Sequence, residues 1–141
     1  MGLLTLGAAV TAVHHDGMGA VLAYVAAGVV GLWGVAHFLP TARVVRGFSD
    51  TSRDNRLVIA QEWIAEGMTM WFIATVVIIA AALGGSHHAF GDWVYRASAA
   101  MLVAVAVLTA VTGARTPVIF FKICPVLLCA AAALLLTASW V

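Results

Sequence analysis

Residues 57–83, LVIAQEWIAEGMTMWFIATVVIIAAAL, decide the fold. A helix needs about 20 mainly apolar residues to cross the hydrocarbon core of a bilayer, and this run supplies them. Its opening is not purely apolar. Gln61, Glu62, Trp63, Ile64, Ala65, Glu66, Gly67, Met68 and Thr69 stand there in order. Glu62 and Glu66 are four residues apart, so on a helix they share one face with Cβ atoms ~6 Å from each other. Thr69 continues that face one turn on. Carboxylates in a spanning helix are costly, and they face protein or water rather than lipid.

Working outward, the first span is predicted over residues 18–39. Gly28, Gly31 and Gly34 thin one side of it, and Ala27 with Gly31 forms a small-xxx-small pair that lets helices approach closely in lipid. Trp33 and His37 stand near its end. Pro40 closes it, because the residue before a proline is pushed out of helical geometry. Ahead of this span, residues 1–17 form an apolar tail ending in His14, His15, Asp16 and Gly17. The tail is too short to cross a bilayer and is expected to pack on or lie along the surface. No Lys or Arg precedes its apolar run, so no cleavable signal is expected. Leu6 stands where a myristoylation motif requires Ser or Thr.

Residues 41–56 form the main polar loop, with Arg43, Arg46, Arg53, Arg56, Asp50 and Asp54. Asp54 is expected to cap the second helix near Asn55, and Gly84 and Gly85 to end it. A short loop with His87 and His88 leads to the third span, 93–112, which starts at Gly91 or Asp92 and carries Arg96 early. Residues 113–117 connect it to the last span, 117–140. Pro117 suits the first turn of that helix, where its missing donor is not needed. The expectation is an all-α, integral membrane four-helix bundle, a single domain over residues 1–141.

Composition agrees. The chain has 141 residues, 64% hydrophobic and 9% charged, against about 25% charged in soluble domains. Its basic residues form no tract, which excludes a nucleic-acid partner. Cys124 and Cys129 are turned ~140° from each other on a helix, so no disulfide is expected between them. Nothing points to a nucleotide, and four spans leave little room for a bulky cofactor; none is expected.

Basic residues in short loops set topology. Loops 40–56 and 113–117 hold arginines, while the tail and the middle loop hold no Lys or Arg. Both arginine-bearing loops are therefore expected on the cytoplasmic side, with both termini outside. Trp93, Tyr95 and Trp140 then fall at the outer surface and Trp63 near the inner one.

That topology brings His37, Gln61, Glu62, Glu66, Arg115, Lys122 and Cys124 to one level. Pro125 adds a freed carbonyl at Phe121, which within a membrane needs a partner or a water-lined cavity. A site there would use Glu66 as the main proton-transfer group, assisted by Glu62, His37 and Lys122. Gln61, Trp63, Thr69, Trp33, Arg115 and Cys124 would line the ligand. The expected ligand is a lipophilic small molecule of terpenoid, sterol or quinone type, transformed by isomerisation, cyclisation or epoxide opening. Interfacial placement explains the same residues without a pocket: Glu62–Lys122 or Glu66–Arg115 would then be ordinary ion pairs, because residues 67–83 alone still make ~25 Å of helix.

Two other functions fit the residues. One is a non-catalytic subunit packed on a larger membrane complex or on a second copy, for which the glycine face of the first span is suited. The other is a small transporter or metal-handling protein, with His14, His15, His87 and His88 as imidazole ligands on the outer side; their spacing matches no metal motif. The four-span layout resembles that of the DoxX-like proteins and of the group of sigma receptors and sterol isomerases. The resemblance lies in architecture alone. Neither residues 61–69 nor residues 120–125 match a motif of these families, so no functional residue is carried over.

Overall fold

The computed structural model of the chain describes residues 2–48, 50–84 and 88–141, with side chains from residue 17 onward. Among these residues the α-helices, in order, are α1 (Gly2–Phe38), α2 (Thr41–Arg46), α3 (Arg53–Ala82), α4 (Ala89–Val111) and α5 (Ile119–Ala138). A 3-10 turn, Gly113–Arg115, precedes α5. Among the described residues, four segments are long and apolar enough to cross a membrane: Gly17–Phe38, Arg53–Ala82, Ala89–Arg115 and Ile119–Ala138.

The helices read out a repeat of about 3.5 residues. In α5 the buried positions Cys124, Leu128, Ala131, Leu135 and Ala138 alternate spacings of four and three. In α4 the same alternation links Tyr95, Ala99, Leu102, Ala106 and Thr109. In α3 it links Gly67, Met70, Ala74, Val77 and Ala81. In α1 the buried residues Ala23, Ala26, Val30, Gly34 and His37 lie on one stripe. Such a repeat favours a left-handed bundle with crossings near ~20°. Alanine dominates the core, because lipid gives apolar surface no reason to leave it and helix association then rests on close packing.

α1 packs on α3 and on α5, and α4 packs mainly on α5. The α3–α4 seam is sparse by comparison. Near the far end of that seam lies an apolar cleft of about 350 Å³ between Val76, Ile79 and Ala80 of α3, Leu83 just beyond it, and Phe90 and Val94 of α4.

Several boundaries differ from the sequence expectation for local reasons. The apolar tail is helical and continuous with the first span; no proline or glycine pair interrupts it. Residues 41–56 contain the short helix α2, which starts immediately after Pro40. Ser52, not Asp54, caps α3, its hydroxyl accepting from the Asn55 N–H at 3.2 Å. Gly84 does end α3, with φ +85 in the left-handed region where only glycine is unstrained. Pro117 stands outside α5, which begins at Ile119. Tyr95, in the first turns of α4, is fully buried in the core. Gly85 and His87, and the side chains of His14 and His15, lie outside the described residues.

Candidate functional site

At the end of the bundle where α1 stops and α3 begins, the buried stripes turn polar. His37 closes the α1 stripe, Thr109 the α4 stripe, and Cys124 opens the α5 stripe; all three are buried. Glu66 stands beside Gly67 on α3 and is partly buried. All four spanning helices meet here at one level.

Glycine makes the approach possible. A Cβ at Gly67 would lie 3.1 Å from the His37 Cβ and 3.2 Å from the Gly34 carbonyl oxygen. A Cβ at Gly34 would strike the Trp71 ring at 2.5 Å. α3 then ties itself to the end of α1 through two indoles. Trp63 Nε1 donates to the His37 carbonyl at 2.6 Å, and Trp71 Nε1 to the Gly31 carbonyl at 3.1 Å. The Thr41 hydroxyl donates to the His37 carbonyl as well, at 2.7 Å, fixing the start of α2 on the same atom.

The imidazole of His37 is held from both sides. Its Nδ1 lies 2.9 Å from the Trp33 carbonyl oxygen. A carbonyl only accepts, so Nδ1 carries the hydrogen and Nε2 is left as the exchangeable nitrogen. Nε2 faces Glu66 Oε1 at 3.7 Å. Trp63 stacks obliquely on the imidazole at 5.1 Å between ring centres, Trp33 meets it edge-on at 6.0 Å, and Phe121 of α5 meets Trp63 edge-on at 5.3 Å. The Phe121 ring in turn covers Gly113, where a Cβ would come within 2.8 Å of it.

Cys124 has Trp33 and Thr109 beside its thiol and Glu66 within electrostatic reach. The Trp33 indole N–H is buried without a hydrogen-bond partner among the described residues; a thiol sulfur is a weak acceptor. Thr109 and Thr69 donate their hydroxyl protons to their own helices, at the carbonyls of Val105 and Ala65.

The remaining candidates stand apart from this cluster. Gln61, Glu62, Arg115 and Lys122 are exposed at the rim. Neither Glu62–Lys122 nor Glu66–Arg115 forms an ion pair among the described residues, and Glu66 turns to His37 instead. Thr109 and Thr41 join the site without having been singled out in the sequence, as does the ring of Phe121, of which only the carbonyl was. Only Thr109 carried a signal: it continues the spacing of Leu102 and Ala106 to the level of Cys124. Among the described residues no three His, Cys, Asp or Glu side chains group as metal ligands. Set against protein families, characterised proteins and solved structures, the chain matches none.

Proposed function

We propose that the chain binds a lipophilic small molecule at the His37 end of the bundle and transfers a proton to or from it. The observation that carries this reading is the His37–Glu66 pair, Nε2 to Oε1 at 3.7 Å, bridging two apolar spans. Fixing Nδ1 on a carbonyl leaves one basic nitrogen and one carboxylate oxygen to exchange a proton, which is the equipment of general acid–base catalysis. Glu66 is the proton-transfer group and His37 its partner. Trp33, Trp63 and Cys124 give the pair an aromatic, largely apolar surround, suited to a terpenoid, sterol or quinone-like compound. Isomerisation, cyclisation and epoxide opening all need such a proton and no further cofactor. Glu62 and Lys122, exposed at the rim, take a supporting part only. By the distribution of basic residues we place this end on the cytoplasmic side.

The test is Glu66→Gln in purified protein assayed against candidate lipids of these three classes. Turnover in the parent chain and its loss in the variant are expected; unchanged turnover overturns the assignment.

A second reading is favoured by the sparse α3–α4 seam and its apolar cleft. In it the chain is a non-catalytic subunit, and a helix of a larger membrane complex covers that seam. Stable co-purification of one membrane partner, together with no turnover, would support it.

A further inference from the structure

The end of the bundle that carries His37 also carries a set of cations that the pair does not use. Arg43 and Arg46 lie three residues apart on α2 and are exposed, as are Arg53 at the start of α3, Arg115 in the 3-10 turn and Lys122 in α5. None of these five side chains forms an ion pair or hydrogen bond among the described residues. Asp54 and Glu62 are exposed at the same end and bond to none of them. The opposite end is different: there Arg96 is engaged, by two bonds to Ser139 and by the rings of Trp93 and Trp140.

The layout of α2 decides what the free cations face. α2 packs on α3, and its Val44 and Val45 are half-buried. Ala42, Arg43 and Arg46 are exposed. Residues three apart on a helix are neighbours, so both guanidinium groups rise from one patch. Leu39 and Phe48, 81% and 43% exposed, flank that patch on either side of α2. Apolar side chains beside unpaired arginines, at the boundary of a membrane span, match an acyl region below and a negative surface above. A guanidinium offers a planar fork of donors that fits a phosphate bidentately.

We propose that α2 and the start of α3 form a clasp for the phosphate headgroups of anionic membrane lipids, with Arg43, Arg46 and Arg53 as its ligands. Leu39 and Phe48 seat in the acyl chains beneath the bound headgroup. Thr41 bonds the His37 carbonyl, so the clasp is anchored directly on the last turn of α1. This inference does not depend on the catalytic reading, because none of its ligands belongs to the His37–Glu66 cluster.

The full chain, reconstituted in phosphatidylcholine vesicles, is probed with spin-labelled phosphatidylglycerol and spin-labelled phosphatidylcholine in parallel. Preference for the anionic label of about threefold or more is expected, weakening as salt screens it. The triple variant Arg43→Gln, Arg46→Gln, Arg53→Gln is expected to bring the two labels to parity. The triple Lys variant is expected to keep part of the preference, which separates loss of charge from loss of fold. Soluble glycerol phosphate is expected not to compete, since it lacks the acyl anchor. Equal association of the two labels with the parent chain overturns the proposal, as does an anionic preference that survives the Gln substitutions.

Discussion

Trp63 of α3 donates its indole N–H to the backbone carbonyl of His37, the residue that closes the buried stripe of α1, at 2.6 Å. One oxygen thereby fixes two things: the depth at which α3 meets α1, and the position of the imidazole that faces Glu66. The same oxygen takes the Thr41 hydroxyl, so the end of α1, the start of α2 and the first turns of α3 share one anchor. A carbonyl near a helix C-terminus lacks an intrahelical partner, and here side chains supply it.

Trp63→Phe tests that anchor. The ring survives to meet His37 and Phe121, but the donor is lost. A destabilisation of about 1 kcal/mol is expected, the usual net worth of one hydrogen bond, read as a lower melting temperature in detergent. An unchanged melting temperature would show that the bond contributes nothing.

The glycines give a graded series along one interface. Gly67→Ala and Gly34→Ala push a methyl into His37, Phe38 or Trp71, and overpacking of this kind costs about 1–3 kcal/mol. Gly31→Ala meets only Ala74 at 3.6 Å, and Gly28→Ala meets nothing within 4 Å, so both are expected to be tolerated. Thermal unfolding of the four variants should rank them in that order. A Gly28 variant as damaged as the Gly67 variant would contradict the packing described.

At the other end, Arg96 bonds the Ser139 hydroxyl and carbonyl, each at 3.2 Å, and lies 4.8 Å from the Trp140 ring centre. Arg96→Lys keeps the charge and loses the planar fork. Faster hydrogen exchange at the last amides of α5 is expected, equivalent to about 1 kcal/mol of lost local stability. Exchange rates matching the parent chain would mean that the contact does not hold the terminus.

The four spans were legible because length and hydropathy suffice for them: each run reaches what a bilayer requires. The level of the polar residues was legible too, since short loops place the end of one span beside the start of the next. Which of those residues meet was not. Glu62 and Glu66 are equivalent by spacing along α3, and only the position of α1 turns Glu66 inward to His37 and leaves Glu62 exposed. Lys122 and Cys124 differ by two residues in α5, yet a helix turns those ~160° apart, so one faces out and the other in. Tyr95 is buried because it falls on the repeat of Ala99 and Leu102. The short helix α2 was hidden by its four-arginine loop, where charge masked the local helical pattern.

Deuterium incorporation reads proton transfer by the His37–Glu66 pair without a known product. Purified protein is incubated in D2O with terpenoid, sterol and quinone lipids, and the recovered lipids are weighed by mass spectrometry. The parent chain is expected to convert one class, with deuterium at carbon where the proton adds to carbon and with the mass of added heavy water where an epoxide is opened, and both Glu66→Gln and His37→Gln to abolish that change while the proteins stay folded. A mass change that persists in either folded variant, or none in any class with the parent chain, overturns proton transfer by this pair.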